Sequence, residues 1–299
     1  MRHRLEYAPV WLIVQVLRFL PRPIARALAI GLALLVYVLH GRLRRVGLRN
    51  LQLAFPGMSE SERRRTLRGV FVSLGRLLAE IPKFPTYTRE NVHRIAIYDG
   101  FENFERARAR GKGVLFLTAH IGGWEIGSFV HSLYGNRLRV VMRRLDNPYL
   151  DRLTRWLRGM HGNRLIDKDD FARGVLGALR RGETVGVLMD TNMSQQEGEF
   201  VDFFSHPACT TTSVARLALK TDAAVVPAFT IWDRDLGKYR IHFEPEIPAI
   251  RTGDDAADAV ANTAAYTKLI ERFIRQYPDQ WLWVHRRWKT RPAGSPSPY

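Results

Sequence analysis

A histidine and a glutamate five positions apart, His120 and Glu125, stand where the stretch 113–128, GVLFLTAHIGGWEIGS, changes character. A neutral imidazole can take the proton of an attacking hydroxyl, and a carboxylate beside it fixes the tautomer and stabilises the imidazolium that forms. Four apolar residues, Val114 to Leu117, read as a buried strand. Gly122 and Gly123 then break the run and permit close backbone approach, and a helix comes next with Glu125 about one turn in. With nine His and 29 acidic residues in the chain, about one such pair is expected by chance. The position carries the signal instead, because open α/β sheets bind ligands beyond the carboxyl ends of their strands. A histidine that merely caps a helix fits the same residues.

Two more strand ends carry chemistry. Residues 140–142 run into Arg143 and Arg144, and 187–189 run into Asp190. Either arginine can grip a phosphate or carboxylate through two parallel hydrogen bonds, and Asp190 can hold that arginine in place; a structural ion pair at the sheet edge fits equally. Further on, Phe203, Phe204 and the threonines 210–212 form an apolar loop with hydroxyls, suited to floor an acyl groove or to pack as ordinary core.

The elements that must position these residues alternate. Strands are expected at 95–98, 114–117, 138–142, 184–189, 223–232, 239–243 and 281–285, with helices near 101–110, 125–134, 148–160, 171–181, 212–220 and 258–277. Such alternation gives a single α/β domain, 50–291, with a mostly parallel central sheet flanked by helices. Ser59 with Glu62 three residues on forms a capping box that opens a helix running to about Glu80. Residues 292–299 read as a flexible tail.

Ahead of the domain, residues 10–39 are the most apolar part of the chain, interrupted by Arg18, Pro21, Arg22, Pro23 and Arg26. The uninterrupted run 27–39 falls short of the about 20 residues a spanning helix needs. Residues 1–49 therefore read as a membrane anchor with a basic flank, spanning or lying in one leaflet; a buried helix pair is the alternative. Arg42, Arg44, Arg45 and Arg49 favour the cytoplasmic side for the α/β domain behind them. The net charge of +17 calls for an anionic partner, and a lone cysteine, Cys209, excludes an internal disulfide.

On these residues the chain resembles the bacterial lipid A biosynthesis acyltransferases of the lysophospholipid acyltransferase superfamily. The likeness runs through LRNLQLAFPGMSESER (48–63), AHIGGWE (119–125), RRLDNPYLD (143–151), FVDFFSHPACTTT (200–212), AAVVP (223–227) and WLWVHRRWKTRP (281–292). It implies acyl transfer from acyl carrier protein or acyl-CoA to a hydroxyl of a membrane glycolipid, at the cytoplasmic face of the inner membrane. No cofactor or metal is implied. His120 would be the general base with Glu125 as its partner, Arg143 or Arg144 and Asp190 would serve substrate binding, and the amides of Gly122 and Gly123 are candidate oxyanion donors. The chain departs from the family at Thr191, where Gln is usual, and at Gly123, where Asn is common; the acceptor therefore stays open to lysophospholipids and amino-acid lipids. Two non-enzymatic readings compete, a basic nucleic-acid-binding protein and a silent membrane scaffold. Neither a nucleic-acid motif nor metal-ligand spacing around His120 supports the first or a zinc hydrolase.

Overall fold

Four consecutive apolar residues can be buried only where both faces of a strand are covered, and Val114, Leu115, Phe116 and Leu117 are each at most 5% exposed. The computed structural model, which describes residues 2–299, makes this strand the centre of a seven-stranded sheet. Ahead of the sheet come α1 (Arg2–Phe19), α2 (Arg22–Leu39), α3 (Gly41–Ala54) and α4 (Glu60–Glu80). Next are β1 (Ala96–Asp99), α5 (Phe101–Ala109), β2 (Val114–Thr118), α6 (Trp124–Leu133), β3 (Leu138–Met142) and α7 (Pro148–Arg158). The chain continues through β4 (Arg164–Asp167), α8 (Phe171–Arg180), β5 (Thr184–Leu188) and a hairpin of β6 (Glu199–Phe203) and β7 (His206–Thr210). It closes with α9 (Ser213–Thr221), β8 (Ala224–Asp233), β9 (Lys238–Phe243) and α10 (Asp255–Gln276).

The sheet order is β1-β9-β8-β2-β5-β3-β4, and only the β8–β9 pair is antiparallel. One apolar cluster lies on each face. Val185, Val187, Phe229 and Ile270 belong to one, and Phe104, Phe116, Phe129 and Ile241 to the other. The capping box at Ser59 and Glu62 is formed as expected, and α4 runs to Glu80. Against α4 lies α2, the one helix among the described residues long and apolar enough to cross a membrane. Gly75 of α4 makes the contact possible, since a Cβ there would sit 2.6 Å from the Ile30 Cα.

Two expectations change. Residues 281–285 form no strand; they make one antiparallel bridge, Ile121 to Trp281. The loop containing Phe203 and Phe204 is instead the turn of the β6–β7 hairpin. Phe204 and Ser205 occupy it at φ of 53° and 60°, a left-handed pair that Asn-Gly would normally announce, and buried Glu271 accepts the Phe204 N–H at 2.8 Å. Both phenylalanines are core: Phe203 packs on Trp281 and Trp288, and Phe204 on Trp283. Residues 292–299 run back to α3, where the Tyr299 hydroxyl donates to Asn50 Oδ1 at 2.7 Å and accepts from the Trp288 N–H at 3.1 Å.

Candidate active site

The register of the central strands decides which groups meet. β2 and β5 pair in parallel with Thr118 opposite Leu188, and the Met189 N–H extends the ladder to the Thr118 carbonyl at 3.0 Å. Two residues further along each strand, His120 faces Asp190. The His120 Nδ1 lies 2.8 Å from Asp190 Oδ1, and the His120 backbone N–H donates to Oδ2 at 2.8 Å. Trp281 completes the setting by donating its indole N–H to Oδ2 at 2.7 Å. A carboxylate can only accept, so Nδ1 carries the proton and Nε2 is left for a substrate.

Burial acts on this pair from both sides. It opposes the imidazolium, yet the Asp190 charge and hydrogen bond outweigh it and raise the His120 pKa above the ordinary value, with Glu125 adding to the rise from further off. For Asp190, burial pushes the pKa up, but His120, the His120 amide and Trp281 hold it well below the usual carboxylate range. The site therefore contains an ionised acid locked onto a histidine whose proton affinity is increased.

Glu125 has a different partner from the one expected. On the first turn of α6 it takes the guanidinium of Arg158, at the end of α7, in a forked pair with Nε at 3.0 and 3.2 Å and Nη2 on Oε1. Burial lowers the Arg158 pKa, and the Glu125 carboxylate more than restores it. Asp190, expected to hold an arginine, holds the histidine. Arg143 and Arg144 stay out at the surface, each with a side chain 75% exposed, in loose pairs with Asp146 at 3.6 Å and Asp167 at 3.9 Å.

The glycine amides, expected as oxyanion donors, are already engaged. Gly122 N–H donates to the Gln280 carbonyl at 2.9 Å and Gly123 N–H to the Thr230 carbonyl at 2.7 Å. Glycine is required at 122 because φ is +57° and a Cβ would fall 2.1 Å from the Thr230 carbonyl oxygen. The turn is thus pinned to β8 and to the segment carrying Trp281, with the buried Gln280 amide bonded to both the N–H and the carbonyl of Trp232. Trp124, the first residue of α6, stacks edge-on against the His120 ring at 5.4 Å.

Two hollows adjoin these groups. One, about 200 Å³, is lined by Glu125 and Arg158 together with Ser128 and the apolar side chains of Ile81, Phe84, Phe129 and Leu157. A wider cleft of about 770 Å³ lies beyond β8 among Arg65, Arg68, Arg76 and Arg240; neither hollow is lined by His120 or Asp190. Reasoning from sequence misses Arg158 and Trp281. Arg158 carries no local signal, being 33 positions from Glu125 on another helix; Trp281 stands in a block noted for its resemblance, but nothing in its neighbours gives it a partner.

A histidine–carboxylate pair at the carboxyl end of the central strands of an α/β sheet, where such sheets bind ligands, places the chain in the class of α/β enzymes. The chain belongs to the bacterial lipid A biosynthesis acyltransferase family, whose model matches residues 2–290. It is 31% identical over 291 residues to the lipid A biosynthesis lauroyltransferase of Escherichia coli, covering 97% of this chain and 92% of that protein. Its identity to the palmitoleoyltransferase of the same organism is 29%, with 97% and 92% covered, and to the myristoyltransferase 28%, with 86% and 78% covered.

Proposed function

We propose that this acyltransferase moves a fatty acyl group from an acyl carrier protein thioester, or from acyl-CoA, to a hydroxyl of a lipid A precursor or related glycolipid. The observation that carries the reading is the His120–Asp190 pair at 2.8 Å in a chain of this family. The acceptor oxygen attacks the thioester carbonyl carbon while His120 Nε2 takes its proton. The C–S bond of the tetrahedral intermediate then breaks, the imidazolium returns the proton to the leaving sulfur, and the acylated lipid and free thiol depart. Asp190 orients the base and balances the transient imidazolium.

Glu125 acts in this reading by holding Arg158. The forked pair uses Nε and Nη2, which leaves Nη1 for the oxyanion that the glycine amides cannot serve. The hollow under Phe84 and Phe129 accepts the proximal acyl chain, and exposed Arg143 and Arg144 meet phosphate on donor or acceptor. The protein works at an anionic membrane surface, on the cytoplasmic face of the inner membrane, which its basic charge and apolar α2 support.

Mass spectrometry of membrane lipids from cells given labelled fatty acid tests this directly. A lipid gaining one acyl mass with the wild type and not with His120→Ala identifies acceptor and chain together. Both His120→Ala and Glu125→Ala should lower transfer by at least about a hundredfold. Full activity in His120→Ala removes the base assignment, and a labelled lysophospholipid or amino-acid lipid in place of the glycolipid redefines the acceptor.

A further inference from the structure

The way α2 is fastened to the domain says how this protein meets a membrane. At 18 residues and about 1.5 Å per residue, α2 is about 27 Å long, close to the thickness of a hydrocarbon core. Length alone would let it span. Its attachments do not.

Its first turn is clamped by two buried charges. Glu80, fully buried, takes Arg22 at 2.8 Å, Arg26 at 3.3 Å and the Tyr87 hydroxyl, while Lys83 donates to the carbonyls of Arg18 at 3.1 Å and of Leu20 across the α1–α2 turn. Midway, the Gly75 contact brings the α2 and α4 backbones together. At the far end Tyr37 packs edge-on against Phe71 at 5.3 Å, and Arg44 caps the Tyr37 and Val38 carbonyls at 2.9 Å. α2 therefore lies along α4 from end to end. A spanning α2 would drag the half of α4 packed on it, with Arg76 and the Arg22–Glu80–Arg26 cluster, into hydrocarbon, at several kcal/mol per charge.

α1 is tied down in the same manner. Tyr7 stacks on Tyr149 of α7 at 5.5 Å, Arg4 donates to the Tyr149 hydroxyl at 3.0 Å, and Asn147 donates to the His3 carbonyl at 2.9 Å. These helices leave large apolar side chains exposed: Trp11, Leu12 and Phe19 on α1, Leu28 and Leu35 on α2, and Trp156 on α7. Trp11 and Trp156 are the two exposed tryptophans among seven, and tryptophan favours the headgroup level. Arg2, Arg4, Arg42, Arg45 and Arg152 stand exposed on the same helices and on α3, where they match anionic headgroups.

We infer that α1, α2 and α7 form a monotopic face that sinks into one leaflet of an anionic bilayer, with no segment crossing it. The inference rests on the reading of the chain as a membrane-lipid acyltransferase and deepens it, because α7 carries Arg158 at its end and so sets the reaction one helix away from the lipid.

Single cysteines at Pro21, His40 and Glu102, in a Cys209→Ala background, test the topology with a membrane-impermeant maleimide on inverted and right-side-out vesicles. All three should react from one side; opposite sidedness of Pro21→Cys and His40→Cys overturns the inference. In parallel, wild type and Leu12→Glu/Leu28→Glu are sedimented with vesicles containing phosphatidylglycerol, and the variant's bound fraction should fall at least tenfold. Equal binding overturns the patch. A wild type that ignores vesicles yet acylates a detergent-dispersed acceptor also overturns it while leaving acyl transfer standing. One that labels from a single side and binds vesicles but transfers nothing upholds the face and overturns the acyl-transfer reading.

Discussion

In the proposed mechanism the chemistry turns on Asp190, which bonds the imidazole Nδ1 and raises its proton affinity together. A base works only when deprotonated, so kcat/KM should climb with pH through the raised His120 value and level off above it. Asp190→Asn removes the carboxylate that raises that value while burial still lowers it. The acid limb should then move to lower pH as the plateau falls by about 10² to 10⁴-fold, which a pH–rate profile of both proteins will show. An acid limb unmoved in the variant would mean that another group titrates. Glu125 and Arg158 make a second prediction. Glu125→Gln and Arg158→Ala each break the same forked pair, so the double variant should lose little more activity than the worse single one, and a double-mutant cycle on kcat/KM measures the shortfall from additivity.

At the scale of elements, the packing of α2 on α4 hangs on one small residue. Gly75→Val puts a branched side chain against the Ile30 backbone, which cannot give way as a flexible side chain would. The variant should be destabilised by about 1 to 3 kcal/mol and should expose the 20–21 turn to limited proteolysis before the sheet melts. This is also the scale at which sequence and structure part. The strands at 114–117 and 184–189 are legible because continuous apolar runs bounded by turn signals have few other homes, and the helices are legible from their 3.6-residue period. The order of strands is not, since nothing within 114–117 names 184–188 as its neighbour. Thus His120 and Asp190 both stand out from the chain, yet local reasoning pairs Asp190 with an arginine and Glu125 with the histidine. β4 escapes notice because it is four residues long and begins with exposed Arg164. The β6–β7 hairpin escapes notice because Phe204 and Ser205 stand where a glycine would mark the turn.

For the whole molecule, charge and apolar area act over different ranges. On the proposed membrane reading, the net charge of +17 would act on anionic lipid over a Debye length of about 10 Å at 0.1 M salt, shrinking to about 3 Å at 1 M. Binding to phosphatidylglycerol vesicles should accordingly weaken as salt rises across that range and then persist at a salt-resistant level set by the apolar helices. Leu28→Glu should abolish that remainder while preserving much of the low-salt binding; complete release of the wild type at 1 M salt would mean that charge alone holds it. The pairing of Thr118 with Leu188 has a consequence at this scale too. Base and acid reach each other only by counting equal steps from that rung. Codons added at 143–147 or 191–198 lie outside the count, but a single codon gained or lost between Leu188 and Asp190 presents the wrong residue to His120. The two central strands therefore cannot change length between that rung and the site without parting His120 from Asp190.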